Sequence, residues 1–280
     1  MPKPVPVWQT AALSILIGAA FVLFWHVMTI KPPVATAAQS EYARLAGAGA
    51  GKAASAIPTP GEVVKRAAEL GAGAFRGYGS NNQGIAFHLL DSLARVLSGF
   101  ALAVAVALPL GFALGMSPLL YGALNPYIQV LKPISPLAWL PLALYTFRDS
   151  ATSAIFVIFI CALWPLLINT IFGVAHVRQD WLNVARVMGL PLWTRVRRII
   201  FPAALPMILT GMRISIGIAW LVIVAAEMVV GNSGVGYFVW NEWNNLQISS
   251  MIVAVILIGL VGLGLDQLLG LAARRLAFKE

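Results

Sequence analysis

Long apolar runs separated by short polar stretches dominate the chain. Six of them, roughly 9–30, 86–115, 124–147, 151–175, 203–230 and 250–272, are long enough to matter. A helix needs about 20 apolar residues to cross about 30 Å of hydrocarbon. The runs are continuous and rich in Leu, Ala, Ile and Val. Strands of a spanning barrel would instead alternate in short segments. The pattern predicts an all-α polytopic membrane protein with six transmembrane helices. Several runs exceed the minimum, which permits tilt without fixing it. Gly99, Gly111 and Gly115 in the second run, and Gly259, Gly262 and Gly264 in the last, would let helix backbones approach closely.

The runs divide the chain into an N-terminal helix within 1–30, a long polar segment 31–84, and a five-helix core over 85–280. Lys3 before the first run and Ala35-Thr36-Ala37 after it resemble the flanks of a secretory cleavage site. The run is longer than the about 7–15 residues of a signal peptide's apolar region, so a retained helix is expected. Segment 31–84 opens with Lys31-Pro32-Pro33 and contains the Ala/Gly run 46–51, which reads as a flexible linker. Further on, Thr59 can cap a helix with Pro60 at its first position and Glu62 at its third. Val63, Val64, Ala67 and Leu70 then recur at helical spacing, predicting one short amphipathic helix at the outer interface.

Composition sharpens this. Apolar residues make up 60% and charged residues 10% of the chain, against about 45–50% and about 25% in soluble domains. A disordered chain, a nucleic-acid-binding tail and an ordinary cytosolic enzyme are thereby excluded. The 19 Lys+Arg against 10 Asp+Glu leave +9, and in a membrane protein that excess reports topology first. With the N-terminus inside, the inner segments hold Lys3, Arg178, Arg186, Arg195, Arg197, Arg198, Arg274, Arg275 and Lys279, and the two short outer loops hold only Arg148. Both termini are therefore expected in the cytoplasm. The single Cys161 excludes a disulfide framework, and His26, His88 and His176 are scattered without metal-ligand spacing. There is no G-x-x-x-x-G-K-[ST] phosphate loop, so the chain itself is not expected to be an enzyme.

The inner segment 176–202 carries the most specific signal. Asp180 can cap a helix over 181–188, Gly189 can end it in the left-handed conformation, and Pro191 can start a second helix. Leu182, Ala185 and Met188 make a small stripe on the first, and Val196, Ile199 and Ile200 an apolar edge on the second. Such a helix–turn–helix has too little apolar surface to stand alone and calls for a docking partner.

This segment resembles the permease loop of ABC importers. There a Glu-Ala-Ala triplet is followed, after three intervening residues, by Gly, and after nine more by Ile-x-Leu-Pro. Here the triplet falls on Asn183-Val184-Ala185, the Gly is Gly189, and the tail is Ile199-Ile200-Phe201-Pro202. The spacing matches, the triplet keeps only Ala185, and Phe201 replaces Leu. The stretches 88–115, 131–147, 203–236 and 249–271 resemble the nitrate/sulfonate/bicarbonate/taurine branch. Ser135 within 131–142 is closer to nitrate and bicarbonate permeases than to sulfonate ones, and the run 227–241 looks most like nitrate permeases.

The resemblance implies a type I ABC-importer permease fold with a cytoplasmic coupling helix, in the bacterial inner membrane. It implies a second permease subunit, cytoplasmic ATPase subunits that carry ATP and Mg, and a periplasmic or lipid-anchored solute-binding protein. It implies no nucleic-acid partner and no cofactor in this chain. Asn183, Val184, Ala185, Arg186, Gly189, Arg195, Arg197 and Pro202 are the expected coupling residues, with the arginines in place of the missing acidic contact. The implied cargo is a small inorganic anion, nitrate or nitrite first, bicarbonate next, then sulfonate or taurine. A stand-alone secondary anion transporter would show paired broken helices, and only the Pro-rich stretch near 133–141 qualifies.

Charges within the runs are costly and face a cavity or a partner. Lys132 lies beside Pro133 and Pro136, where freed backbone groups are tolerated if they line a cavity. It is a candidate anion station with Ser135 and Trp139. The competing reading has it snorkel, or neutralise a carboxylate such as Glu227. Asp91 and Arg95 stand one helical turn apart and are expected to pair. Asp266 is expected to be neutralised by Arg274 or Arg275. Arg213 is expected to meet Asp266 or a second subunit, and Glu227 to be paired. Both are also candidates for the pathway. Trp220 is deep, and Trp240 and Trp243 read as interface anchors.

Overall fold

A computed structural model describes residues 7–30, 57–78 and 82–276. The expected linker and the Ala35-Thr36-Ala37 stretch lie outside these residues. The order is α1 (Val7–Ile30), α2 (Pro60–Ala72), a two-residue hairpin of β1 (Gly77–Tyr78) and β2 (Asn82–Gln83), α3 (Ile85–Met116), α4 (Pro118–Leu131) and α5 (Pro136–Phe147). Then follow α6 (Ser150–Ala175), α7 (Gln179–Val187), α8 (Leu192–Arg195), a π-helical turn (Val196–Ile200), α9 (Phe201–Val230), α10 (Val235–Asn244) and α11 (Ile248–Leu276). Among these, α1, α3, α6, the continuous 192–230 helix and α11 are each long and apolar enough to span a membrane. The pair α4–α5 makes a sixth span if counted together, bent by 92° between the two.

That bend falls at the Pro-rich stretch expected to be broken, and the first arm starts at Pro118, earlier than the expected run 124–147. Pro133 and Pro136 remove backbone donors, and residues before proline avoid the α region. Lys132 ends α4, Ser135 stands at the extended N-cap position of α5, and Pro136 opens α5. The hairpin also lies outside the purely helical expectation. Gly77 pairs with Gln83 and Tyr78 with Asn82.

The described residues form two compact units, one of residues up to 73 with 242–253 and the other of 74–241 with 254–276. In the first, α2 starts as its sequence predicts. Thr59 Oγ1 accepts from Glu62 N–H, and the Glu62 carboxylate accepts from Thr59 N–H at 2.9 Å. Val63 is buried, and Arg66 Nε donates to Ser250 Oγ at 2.8 Å. α1 is apolar on every face and its side chains are nearly all exposed, as lipid-facing helices are.

The second unit is built on α3, α6 and α9. Lipid removes the hydrophobic drive between helices, so close packing and interhelical hydrogen bonds hold them. A Cβ on Gly99 would lie 2.6 Å from Ile158, one on Gly111 2.6 Å from Thr170, and one on Gly115 2.7 Å from Val174. The contacts run in the same order along both helices, so α3 and α6 are parallel and nearly touch at backbone level. α9 returns antiparallel, with Ser215 Oγ donating to Ala162 C=O at 2.8 Å. α11 then lies along α9, where Trp220 Nε1–H donates to Ile258 C=O at 2.9 Å. Of the glycines expected to pack in the last span only Gly262 does so, against Trp220, and Gly259 and Gly264 face open space.

The N-terminus of α6 is fixed by Asp149, whose carboxylate accepts from Thr152 N–H at 2.7 Å and Thr152 Oγ1–H at 2.6 Å. These bonds hold the Asp149 carboxyl below its ordinary value of 3.8. A depressed folded value means that the cap's stabilisation is fully present above pH 3.8 and is lost as pH falls through the lower folded value. Asp149→Asn keeps a good cap and should remove that acid-sensitive component from a pH series of unfolding.

Candidate functional site

Four polar arrangements carry the candidate residues.

The first is the break between α4 and α5. Lys132 is exposed there and lines two cavities, one of about 380 Å³ between α4 and the ends of α3 and α6, and one of about 390 Å³ bounded by Pro136, Trp164, Asn169 and Ile218. Among the described residues no carboxylate pairs with Lys132. Ser135 does not cap α5 with its side chain, leaving that positive helix end uncapped four residues after Lys132. Trp139 packs beside Leu140, Ala143 and Cys161, and its indole N–H is buried without a hydrogen-bond partner.

The second is a buried latch around Glu227. Its carboxylate accepts from Arg95 Nη1 at 2.7 Å, from Ser92 Oγ at 2.7–2.9 Å and from Gly236 N–H at 3.0 Å. Val235 N–H donates to Ser92 Oγ at 2.8 Å, and Gly234 N–H to His88 Nδ1 at 3.1 Å. Arg95 also donates to the Ser233 carbonyl at 2.9 Å and to its hydroxyl. Successive backbone groups of 233–236 are thus held by His88, Ser92 and Arg95 from one face of α3, together with Glu227 from α9. Gly234 stands at φ +108°, and a Cβ there or at Gly236 would run into Glu227. Arg95 pairs with Glu227 rather than with the expected Asp91. Asp91 is nearer in sequence, but Glu227 is buried and has the greater need of a cation. The polar spacing 88, 92, 95 inside an apolar run was the signal for this arrangement.

The third is Arg213 with Asp266. Nε and one terminal nitrogen of the guanidinium engage both carboxylate oxygens, joining α9 to α11. Arg213, and not Arg274 or Arg275, therefore neutralises Asp266. The antiparallel packing of α9 on α11 puts the two side by side mid-span, whereas Arg274 and Arg275 lie in the last turn of α11.

The fourth is the loop 176–202. Gly189 ends α7 at φ +63° with no atom near its missing Cβ. Leu190 N–H bonds Ala185 C=O at 3.1 Å and Gly189 N–H bonds Arg186 C=O at 3.0 Å, the paired bonds of a Schellman stop. The expected cap by Asp180 is not made: Arg178 holds the N-cap position and Asp180 sits in the first turn, beside the positive helix end. Ala185 is buried and Leu182 packs inward, but Met188, expected on the same stripe, is exposed. With Val187 at 90% exposure and Trp193 at 72%, it joins Trp181, Val184 and Leu192 in an outward apolar face. Asn183, Arg186 and Arg197 are exposed on the same segment, and the Nε of Arg195 is buried without a partner.

Nor does the second helix of this loop stop before the span. It runs through the π-helical turn, where Phe201 N–H reaches Val196 C=O, directly into α9. A proline inside an α-helix clashes with the carbonyl four residues earlier. The wider turn just before Pro202 lets the helix continue, which the spacing of residues alone did not show.

Residues 105–278 match the family described as binding-protein-dependent transport system inner membrane component. The chain belongs to this family. It is therefore an ABC-importer permease, a multi-pass inner-membrane subunit that works with ATPase and binding-protein partners. The chain is 44% identical over 238 residues to a nitrate import permease protein of Synechocystis, covering 85% of this chain and 86% of that one. It is also 44% identical to a bicarbonate transport system permease protein of Synechococcus elongatus, over 68% of each. Among solved structures, the inward-facing methionine ABC transporter superposes with a TM-score of 0.59 at 16% identity, over 67% of this chain and 93% of that one. At that identity the likeness establishes the fold.

Proposed function

We propose that this permease carries nitrate inward as part of an ATP-driven importer. Three nitrate import permeases at 44–46% identity carry the reading. The charge arrangement supports it. Arg95 and Arg213 are cancelled by Glu227 and Asp266, whereas Lys132, at the break between two cavities, has no carboxylate partner among the described residues. Lys132, the uncapped start of α5 and the nearby Ser135 and Trp139 suit a small monovalent anion that must be held and then released. Bicarbonate is the second reading, because permeases of bicarbonate systems match at 44–45%. Uptake of labelled nitrate by cells lacking and regaining the chain tests the choice. Nitrate uptake should return with the chain and resist excess bicarbonate; competition by bicarbonate at equal concentration would favour the second reading.

The chain contributes no nucleotide chemistry, and ATP and Mg belong to the ATPase subunits. Both termini and the loop 176–202 face the cytoplasm, where the apolar face of Val184, Val187, Met188 and Trp193 docks an ATPase subunit. A second, identical permease subunit completes the pathway, and a binding protein delivers the anion from outside. The continuous helix from 192 into α9 gives the docked loop a rigid lever into the span.

Gly189→Arg places a side chain where the left-handed backbone costs about 1–2 kcal/mol and crowds the docking face. Nitrate uptake should fall at least tenfold with insertion unchanged, read by uptake and by co-purification of the ATPase. Full uptake with this variant would remove the loop from the coupling role.

A further inference from the structure

The face of α4 that ends at Lys132 also carries Tyr121, Asn125 and Gln129, spaced so that they stack along one side of the helix. All of them line the cavity of about 380 Å³. The facing wall, from the ends of α3 and α6, is mainly apolar, with Leu114, Ile171 and Phe172 among its residues. No Asp or Glu lines it. The one bond recorded between side chains of the row, Gln129 Nε2 to Asn125 Oδ1, is stretched to 3.5 Å. Carboxamides at membrane depth without strong partners belong beside water or protein, not lipid.

The row starts at Lys132, which also lines the second cavity, and it leads toward His176. His176 is the first residue of the coupling loop and lines the adjoining cavity under that loop, with Arg178 and Arg198. Tyr121 and Lys132 are eleven residues apart, about 16 Å along a helix, or roughly half the hydrocarbon thickness.

We infer that the Tyr121–Asn125–Gln129 face of α4 is the exit track for the anion, running from Lys132 to the coupling-loop side. The inference rests on the anion-importer reading above. Amide and phenol donors solvate an oxyanion stepwise without a fixed charge, so each binds weakly enough to let it go. Lys132 then holds the anion, and the neutral row releases it. Movement of the coupling loop would act on this cavity through His176, which lines both it and the cavity under the loop.

The test uses the importer assembled with its ATPase and binding protein in proteoliposomes, with nitrate as the probe. In the double variant Asn125→Leu/Gln129→Leu, kcat for uptake should fall at least tenfold while KM for loaded binding protein stays within twofold. Gln129→Asn, which keeps a carboxamide, should retain more than half the rate. In a Cys161→Ala background, Gln129→Cys should react with an anionic thiosulfonate, and nitrate should slow that reaction. Normal uptake in the double variant, or a Gln129→Cys inert to the reagent, would overturn the track. Lys132→Ala separates the two claims. Uptake lost in Lys132→Ala but normal in the double variant defeats the track alone, and normal uptake in Lys132→Ala defeats the anion station on which it rests. A double variant that fails to bind the ATPase is decided by the labelling result.

Discussion

Lys132→Ala should reduce ATP-driven nitrate uptake by roughly tenfold to a hundredfold. A hydrogen bond to a charged group contributes about 1.5–3 kcal/mol, and each 1.36 kcal/mol is about tenfold in rate. The lysine stands at the α4–α5 break between two cavities, without a carboxylate partner among the described residues. No described carboxylate cancels its charge, so its removal takes away the site's main attraction for an anion. Lys132→Arg retains the charge and should keep uptake within tenfold of the parent. The variants are compared at saturating binding protein, with ATPase association as the control for assembly. An Ala variant that transports normally would leave the lysine a surface group that snorkels.

Arg95→Met should be the most destabilising single change in the second unit. Glu227 is 2% exposed, and Arg95 is its only cationic partner among the described residues. Removing one member of a buried ion pair costs about 3–5 kcal/mol, because the other charge is left unpaired. The loss should spread to 233–236, whose backbone Arg95 also holds. Replacing both partners, Arg95→Met with Glu227→Gln, removes the stranded charge and should recover part of the loss. Unfolding of the purified protein in detergent measures all three. If the single variant unfolds like the parent, the latch is ornamental and residues 233–236 are held by something else.

Most of the architecture could be read along the chain because lipid imposes one rule. A backbone in hydrocarbon must satisfy itself, so each long apolar run had to be a helix. The capped start of α2 and the glycine stop of α7 were legible for a similar reason, since each rests on a few neighbouring residues. What escaped depends on partners distant in sequence. Arg95 had Asp91 one turn away and chose Glu227, which only the packing of α3 on α9 brings near. Arg213 did meet Asp266, one of the two partners expected for it, and the antiparallel run of α9 and α11 explains why Arg274 and Arg275 did not. The break at 132–135 and the π-helical turn before Pro202 both arise at prolines. A proline tells where a helix is disturbed, but neighbouring helices decide whether it bends or widens. Of the candidate site, Lys132 and the Gly189–Pro202 loop stood out from residue type and spacing. Asn125 and Gln129 did not, because two amides inside an apolar run gain meaning only once a cavity is seen beside them.

The most direct measurement is nitrate accumulation in proteoliposomes that hold this permease, its ATPase and its binding protein. With ATP supplied to the ATPase side, nitrate should accumulate against its gradient, and withdrawing either ATP or the binding protein should abolish accumulation. Equal accumulation without ATP, or accumulation of bicarbonate with no movement of nitrate, would contradict the account.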